Sequence, residues 1–129
     1  MRQQKGFTVI ELMIAIVAIG AISILLFLQK DTLDSATRDN ERKTSINAMY
    51  YSLENSYYEK HKSYPEYINS GVLTTMDPDL FIDPNGVKQS EKGSDYRYIP
   101  TDCNDQKCSG YTLRADLERE ADYIKKSQN

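Results

Sequence analysis

Lys5-Gly6-Phe7-Thr8-Val9-Ile10-Glu11-Leu12 opens an apolar run that continues almost unbroken to Leu28. Besides Glu11, the only polar side chains between Phe7 and Leu28 are Thr8 and Ser23. A helix through this stretch is roughly 33 Å long, enough to cross a bilayer core of about 30 Å. A simple anchor has no use for Glu11. An acid placed in hydrocarbon costs on the order of 3 kcal/mol, so the residue predicts a function and a partner for its charge.

The flanks sharpen this reading. Arg2 and Lys5 precede the run and favour a cytoplasmic N-terminus with the rest of the chain outside. An ordinary secretory signal has a shorter apolar core followed by a small-residue cleavage site. Here the run is longer and continues into Gln29-Lys30-Asp31-Thr32-Leu33, which offers no such site. The chain has 129 residues, so one folded domain beyond the span is the natural count. Net charge is -3, or -5 when Arg2 and Lys5 are left out. A mildly acidic chain has no general drive toward nucleic acid or anionic lipid.

Outward from the run, no proline occurs before Pro65. One helix is therefore expected from Phe7 to about Lys62, on the order of 80 Å long. From Gln29 to Ser45 it is strongly charged, with Lys30, Asp31, Asp34, Arg38, Asp39, Glu41, Arg42 and Lys43. Beyond that, Ile46, Met49, Tyr50, Leu53 and Tyr57 recur at helical spacing and predict a face packed on a globular domain. Asn47, Ser52, Glu54, Asn55 and Glu59 are expected on the opposite, solvated side. The helix should stop near Ser63-Tyr64-Pro65, with His61 flanking its end, because a residue before proline disfavours helical geometry.

Turn chemistry follows at Gly71, Asp77-Pro78, Asp83-Pro84-Asn85-Gly86 and Lys92-Gly93. Ser94 to Pro100 and Tyr111 to Leu117 alternate like strands. Tyr96 and Tyr98 share one face of the first; Tyr111, Leu113, Ala115 and Leu117 share one face of the second. The fold class predicted is α+β, a long N-terminal helix packed on a small antiparallel β-sheet. Its parts are residues 1–6, the membrane-spanning segment 7–28, the amphipathic helix 29–62 and the sheet region 63–129. The charged tail from Arg119 has no assignment.

Cys103 and Cys108 lie in the connection between the strands. Outside the cytoplasm they read as a disulfide tying the base of a hairpin, with free thiols as the alternative. Zinc would need two further ligands, and the chain has one histidine. The acids Asp77, Asp79, Asp83, Asp102 and Asp105, with Asn104, lack calcium-loop spacing and read as solvated turns. Tyr50, Tyr57, Tyr96, Tyr98 and Tyr111 are expected in or at the rim of the core; Tyr51, Tyr58 and Tyr67 are expected at the surface. No phosphate loop, nucleophile motif or metal constellation is present, so neither enzyme activity, a cofactor nor a metal is expected.

The stretch Gly6-Phe7-Thr8-Val9-Ile10-Glu11-Leu12, behind its basic leader, closely resembles the processing motif of type IV pilins and pseudopilins. The resemblance implies cleavage by a prepilin peptidase/methyltransferase after Gly6, before Phe7, and N-methylation of Phe7. It implies that Glu11 pairs with the Phe7 amine of a neighbouring subunit in a helical homopolymer. Ala15, Ala18, Gly20 and Ala21 are small enough for close helix packing, and Gly20 is a point where the helix could unwind in a filament. The layout is also similar to the family, as are Ser63-Tyr64-Pro65, Asp83-Pro84 and Tyr111-Thr112-Leu113-Arg114-Ala115-Asp116-Leu117-Glu118. One departure is Leu28, where many pilins have a helix-kinking proline.

The function so implied is that of a structural subunit of a type IV pilus-like fibre, serving adhesion, twitching motility or DNA uptake. The implied partners are related subunits, the peptidase, a pilus assembly platform and the membrane; a DNA or surface ligand fits the family but no residue here identifies one. The implied location is the inner membrane for the precursor, then the extracellular filament. A pseudopilin of a type II secretion or competence machine is the alternative within the family. A single-pass anchored binding domain that never polymerises is the alternative outside it.

Overall fold

The computed structural model describes residues 6–129, so Arg2 and Lys5 lie outside the described residues. The chain forms two compact units, one ending at Asp34 and the other spanning Ser35–Asn129.

In the first unit, α1 (Val9–Ser52) begins one residue after Thr8. The apolar segment is helical throughout, as an uninterrupted run without proline should be. Its polar side chains are folded back onto the backbone. Ser23 Oγ donates to the Ile19 carbonyl at 2.8 Å, and Thr32 Oγ1 donates to the Leu28 carbonyl at 3.3 Å. Such bonds satisfy hydroxyls without water.

In the second unit, α1 runs on to Ser52, widens into a π-helix at Leu53–Tyr58, and returns to α geometry for α2 (Glu59–His61). Lys62 stops it with a left-handed φ of 54°. The chain then enters the two-residue strand β1 (Tyr64–Pro65). A 3-10 turn at Pro78–Phe81 is capped by Asp77, whose carboxylate accepts from the Asp79 amide. Strands β2 (Tyr96–Asn104) and β3 (Lys107–Ala115) form a hairpin whose turn residues Asp105 and Gln106 both have positive φ. That geometry matches the right-handed twist of the paired strands.

β3 is the centre of the sheet. It pairs antiparallel with β2 along one edge, and with β1 and β4 (Tyr123–Lys126) along the other. Pro65 is tolerated because β1 is an edge strand. The tail that the sequence left without assignment thus supplies the fourth strand. The inward residues of β3 are Tyr111, Leu113 and Ala115, as their alternation predicts. They close on Ile46, Met49 and Leu53 from the helix and on Ile68, Leu73 and Phe81 from the intervening loops. This is the predicted α+β architecture.

Four local expectations need correction. Ser52 and Glu54 are buried rather than solvated. Glu54 lies one turn after Tyr50, on the flank of the apolar stripe, and i→i+5 bonding widens the turn there and carries it inward. Asp39 and Arg42, within the strongly charged stretch, are buried, a placement the sequence reading did not assign. Asp83 is buried because its carboxylate accepts from the amides of Asn85, Val87 and Asp95. Tyr58 is half-buried, stacked on the Tyr64 ring at 4.9 Å. Cys103 and Cys108 sit inside β2 and β3 as a cross-strand pair, at the tip of the hairpin rather than in its connection.

Candidate functional site

The first unit carries the residues singled out at the N-terminus. Gly6, Phe7 and Thr8 precede the helix without regular structure, and Gly6 and Phe7 are exposed, leaving the Gly6–Phe7 bond accessible. Thr8 caps α1. Its Oγ1 accepts from the Glu11 amide at 3.3 Å, and Glu11 Oε2 reaches back to the Thr8 amide at 3.5 Å. Thr8-Val9-Ile10-Glu11 is thus a capping box, which satisfies two otherwise orphaned donors and sets the carboxylate at the positive end of the helix dipole. In the isolated chain, then, Glu11 has a local partner, one that sequence reasoning passed over although the Thr-x-x-Glu spacing was visible.

The large apolar residues from Phe7 to Leu28 are all between 57% and 86% exposed. A surface of that extent needs lipid or other helices to cover it. Val9–His61 is long and apolar enough to cross a membrane, its most apolar window having a mean hydropathy of 2.7. Ala15, Ala18, Gly20 and Ala21 are exposed within it, and a Cβ added at Gly20 would meet nothing within 4 Å. Packing inside one chain therefore does not require these residues to be small.

In the second unit, two buried polar centres weld the helix to the sheet. Arg42 is the hub of the first. Its guanidinium bonds Asp39 at 3.0 Å, Asp95 at 2.8 Å and Glu118 at 2.8 Å. Arg38 forms a two-pronged pair with Glu118 at 2.7 and 2.6 Å. Asp39 also accepts from the amides of Glu118 and Arg119, pinning the chain that leaves β3 onto the helix. Burial alone would lower the Arg42 pKa, but its bonds to Glu118 and Asp95 outweigh this and raise it. Arg38, then Arg42, hold the Glu118 carboxyl down at about 2.

Glu54 is the second centre. It accepts from the Tyr111 hydroxyl at 2.7 Å, from the Tyr64 hydroxyl at 3.0 Å and from the Gln128 amide at 3.4 Å. Tyr64 meets Tyr111 edge-on at 4.7 Å, and Tyr98 stacks on Tyr111 at 5.5 Å. Burial first, then the Glu54 carboxylate, raises the Tyr111 pKa; burial likewise raises that of Tyr98. Neither centre was anticipated. The available signals were Asp39 three residues before Arg42, and Glu54 four residues after Tyr50.

Cys103 and Cys108 are joined as a disulfide. Tyr51 and Tyr67 are exposed and Tyr50, Tyr96 and Tyr111 are buried, as expected. His61 flanks the helix end, its Nδ1 bonded to the Tyr57 carbonyl at 2.9 Å. Among the described residues no group of three or more His, Cys, Asp or Glu side chains is placed to hold a metal ion.

Residues 1–27 match the family model of the prokaryotic N-terminal methylation motif. This is the signature of type IV pilin and pseudopilin precursors. No curated protein and no solved structure matches the chain. The motif and the apolar helix suit a membrane-anchored precursor. They support a pilin-like or pseudopilin protein, processed by a prepilin peptidase and assembled with other such subunits.

Proposed function

We propose that this chain is a structural, non-catalytic subunit of a type IV pilus-like filament, cut after Gly6, N-methylated at Phe7 and polymerised through α1 outside the cell. The observation that carries the reading is Glu11: one carboxylate in a helix with no other charge from Phe7 to Leu28, four residues from the terminus that cleavage at the methylation motif creates. The new Phe7 amine of one copy beside Glu11 of another neutralises two charges that are each costly in an apolar bundle. Apolar packing supplies adhesion, and the charge pair selects the stagger between copies.

The test is N-terminal sequencing with intact mass of protein sheared from cells. A chain beginning at methylated Phe7 in sedimentable fibres is expected. Monomers beginning at Met1 would overturn the reading in favour of an anchored domain that does not polymerise.

A further inference from the structure

Two adjoining hollows of about 650 and 260 Å³ open on the second unit. They share the wall residues Ile68, Asn69, Gln89 and Ser90, and so form one cleft between the chain that follows β1 and the loop that leads into β2. Tyr67 lines the larger hollow; it is 61% exposed, and neither its ring nor its hydroxyl has a partner among the described residues. At the shared wall, Asn69 turns its side-chain oxygen to the amides of Gly71 and Val72, at 2.9 and 3.0 Å, which leaves its NH2 group as an oriented donor. The Gln89 carboxamide and the Ser90 hydroxyl beside it have no hydrogen-bond partner among the described residues. Further along, Arg97 donates to Asp116 at 2.9 Å, so a donor and an acceptor stand side by side on the rim.

We infer that this cleft binds a neutral pyranose oligosaccharide. A sugar hydroxyl both donates and accepts; Gln89 and Ser90 do the same, and Asn69 adds a donor. A pyranose ring also carries an apolar C–H face. An exposed tyrosine is a rigid plate for such a face, apolar on its ring and polar at its tip, and ordering it costs little entropy. Other ligands fit the lining less well. Five carboxylates and three cations line the cleft, the wrong balance for a phosphate chain. An extended peptide would bind by adding to the edge of β2. There Pro100 has no N–H to offer, and the Tyr96 amide is already bonded to Ser94 Oγ at 3.1 Å. The cleft lies wholly within the second unit, so the inference goes beyond the filament reading and does not depend on it.

The test is saturation-transfer NMR on the full-length chain in micelles of a sugar-free detergent, lauryldimethylamine oxide. The probes are cellotriose, maltotriose, mannotriose and chitotriose. At least one should bind saturably, with a Kd of about 1 mM. Tyr67→Ala should weaken that binding roughly tenfold and Gln89→Ala roughly fivefold. Neither side chain belongs to the core, so both variants keep the fold. Tyr51→Ala removes an exposed tyrosine outside the cleft and should leave the affinity unchanged. The inference is overturned if none of the sugars binds saturably, if Tyr67→Ala binds as well as wild type, or if Tyr51→Ala loses as much. Tighter binding of an alternating Thr-Ser heptapeptide than of every sugar would assign the cleft to an extended peptide and overturn it as well. Fibre formation is read separately, so none of these results bears on the filament reading.

Discussion

Glu54 is a carboxylate only 7% exposed, with no cation bonded to it among the described residues and three donors from three separate parts of the chain. Tyr64 and Tyr111 are aromatic core residues whose hydroxyls need an acceptor once buried. The helix supplies that acceptor through a charged residue rather than a neutral one, and charge-assisted bonds are the stronger kind. Glu54→Ala strands two buried phenols and opens space between them. A loss of about 3 kcal/mol in urea unfolding is expected. Glu54→Gln keeps an amide oxygen for Tyr111 and Gln128 and can donate to the Tyr64 oxygen, so it should recover most of that loss. Equal stability of Glu54→Ala and wild type would show that the phenols need no acceptor.

The π-helix and the chain after β3 explain why part of this architecture was legible in the sequence and part was not. Alternation in Tyr111-Thr112-Leu113-Arg114-Ala115 fixes a strand whatever lies around it, because period two is a local property. The stripe Ile46, Met49, Tyr50, Leu53 fixes the packed helix face for the same reason. Glu54 escaped because a uniform period of 3.6 was extended through a turn that does not have it. Asp39 and Arg42 escaped because a charged run looks solvated until its partners, Asp95 and Glu118, arrive from more than fifty residues away. That cluster ties three elements by ionised groups, so it makes the domain sensitive to acid. Glu118 has a folded pKa of about 2 against an ordinary 4.5. A depressed carboxylate contributes stability above its unfolded pKa and loses it as pH falls toward the folded value. The urea midpoint should therefore drop between about pH 4.5 and pH 2, and Glu118→Gln should flatten that dependence. An identical acid limb in the variant would remove Glu118 from the account.

For the whole molecule, the proposed function gives the exposed apolar helix two settings, lipid before assembly and other copies after it. In that proposal Glu11 is the residue that distinguishes them, and the capping box sharpens how its role can be tested. Glu11→Ala removes the reciprocal half of the capping box and the charge, leaving the Thr8 hydroxyl bonded to the residue-11 amide, while raising the hydropathy of the segment, so membrane insertion should be spared. The lost reciprocal bond alone costs about 0.5 kcal/mol of helix stability. Glu11→Gln separates the two roles. Its amide oxygen can still accept from the Thr8 amide, preserving the cap. It carries no charge, however, and cannot neutralise the Phe7 amine of a neighbour. If the charge pair sets the stagger, Glu11→Gln and Glu11→Ala should both reach the membrane, both be processed to Phe7, and both fail to yield sheared fibres. If Glu11 serves only as a helix cap, Glu11→Gln should assemble like wild type while Glu11→Ala is impaired. Membrane fractionation, intact mass and fibre yield on the two variants therefore decide between a residue that shapes one helix and a residue that joins two.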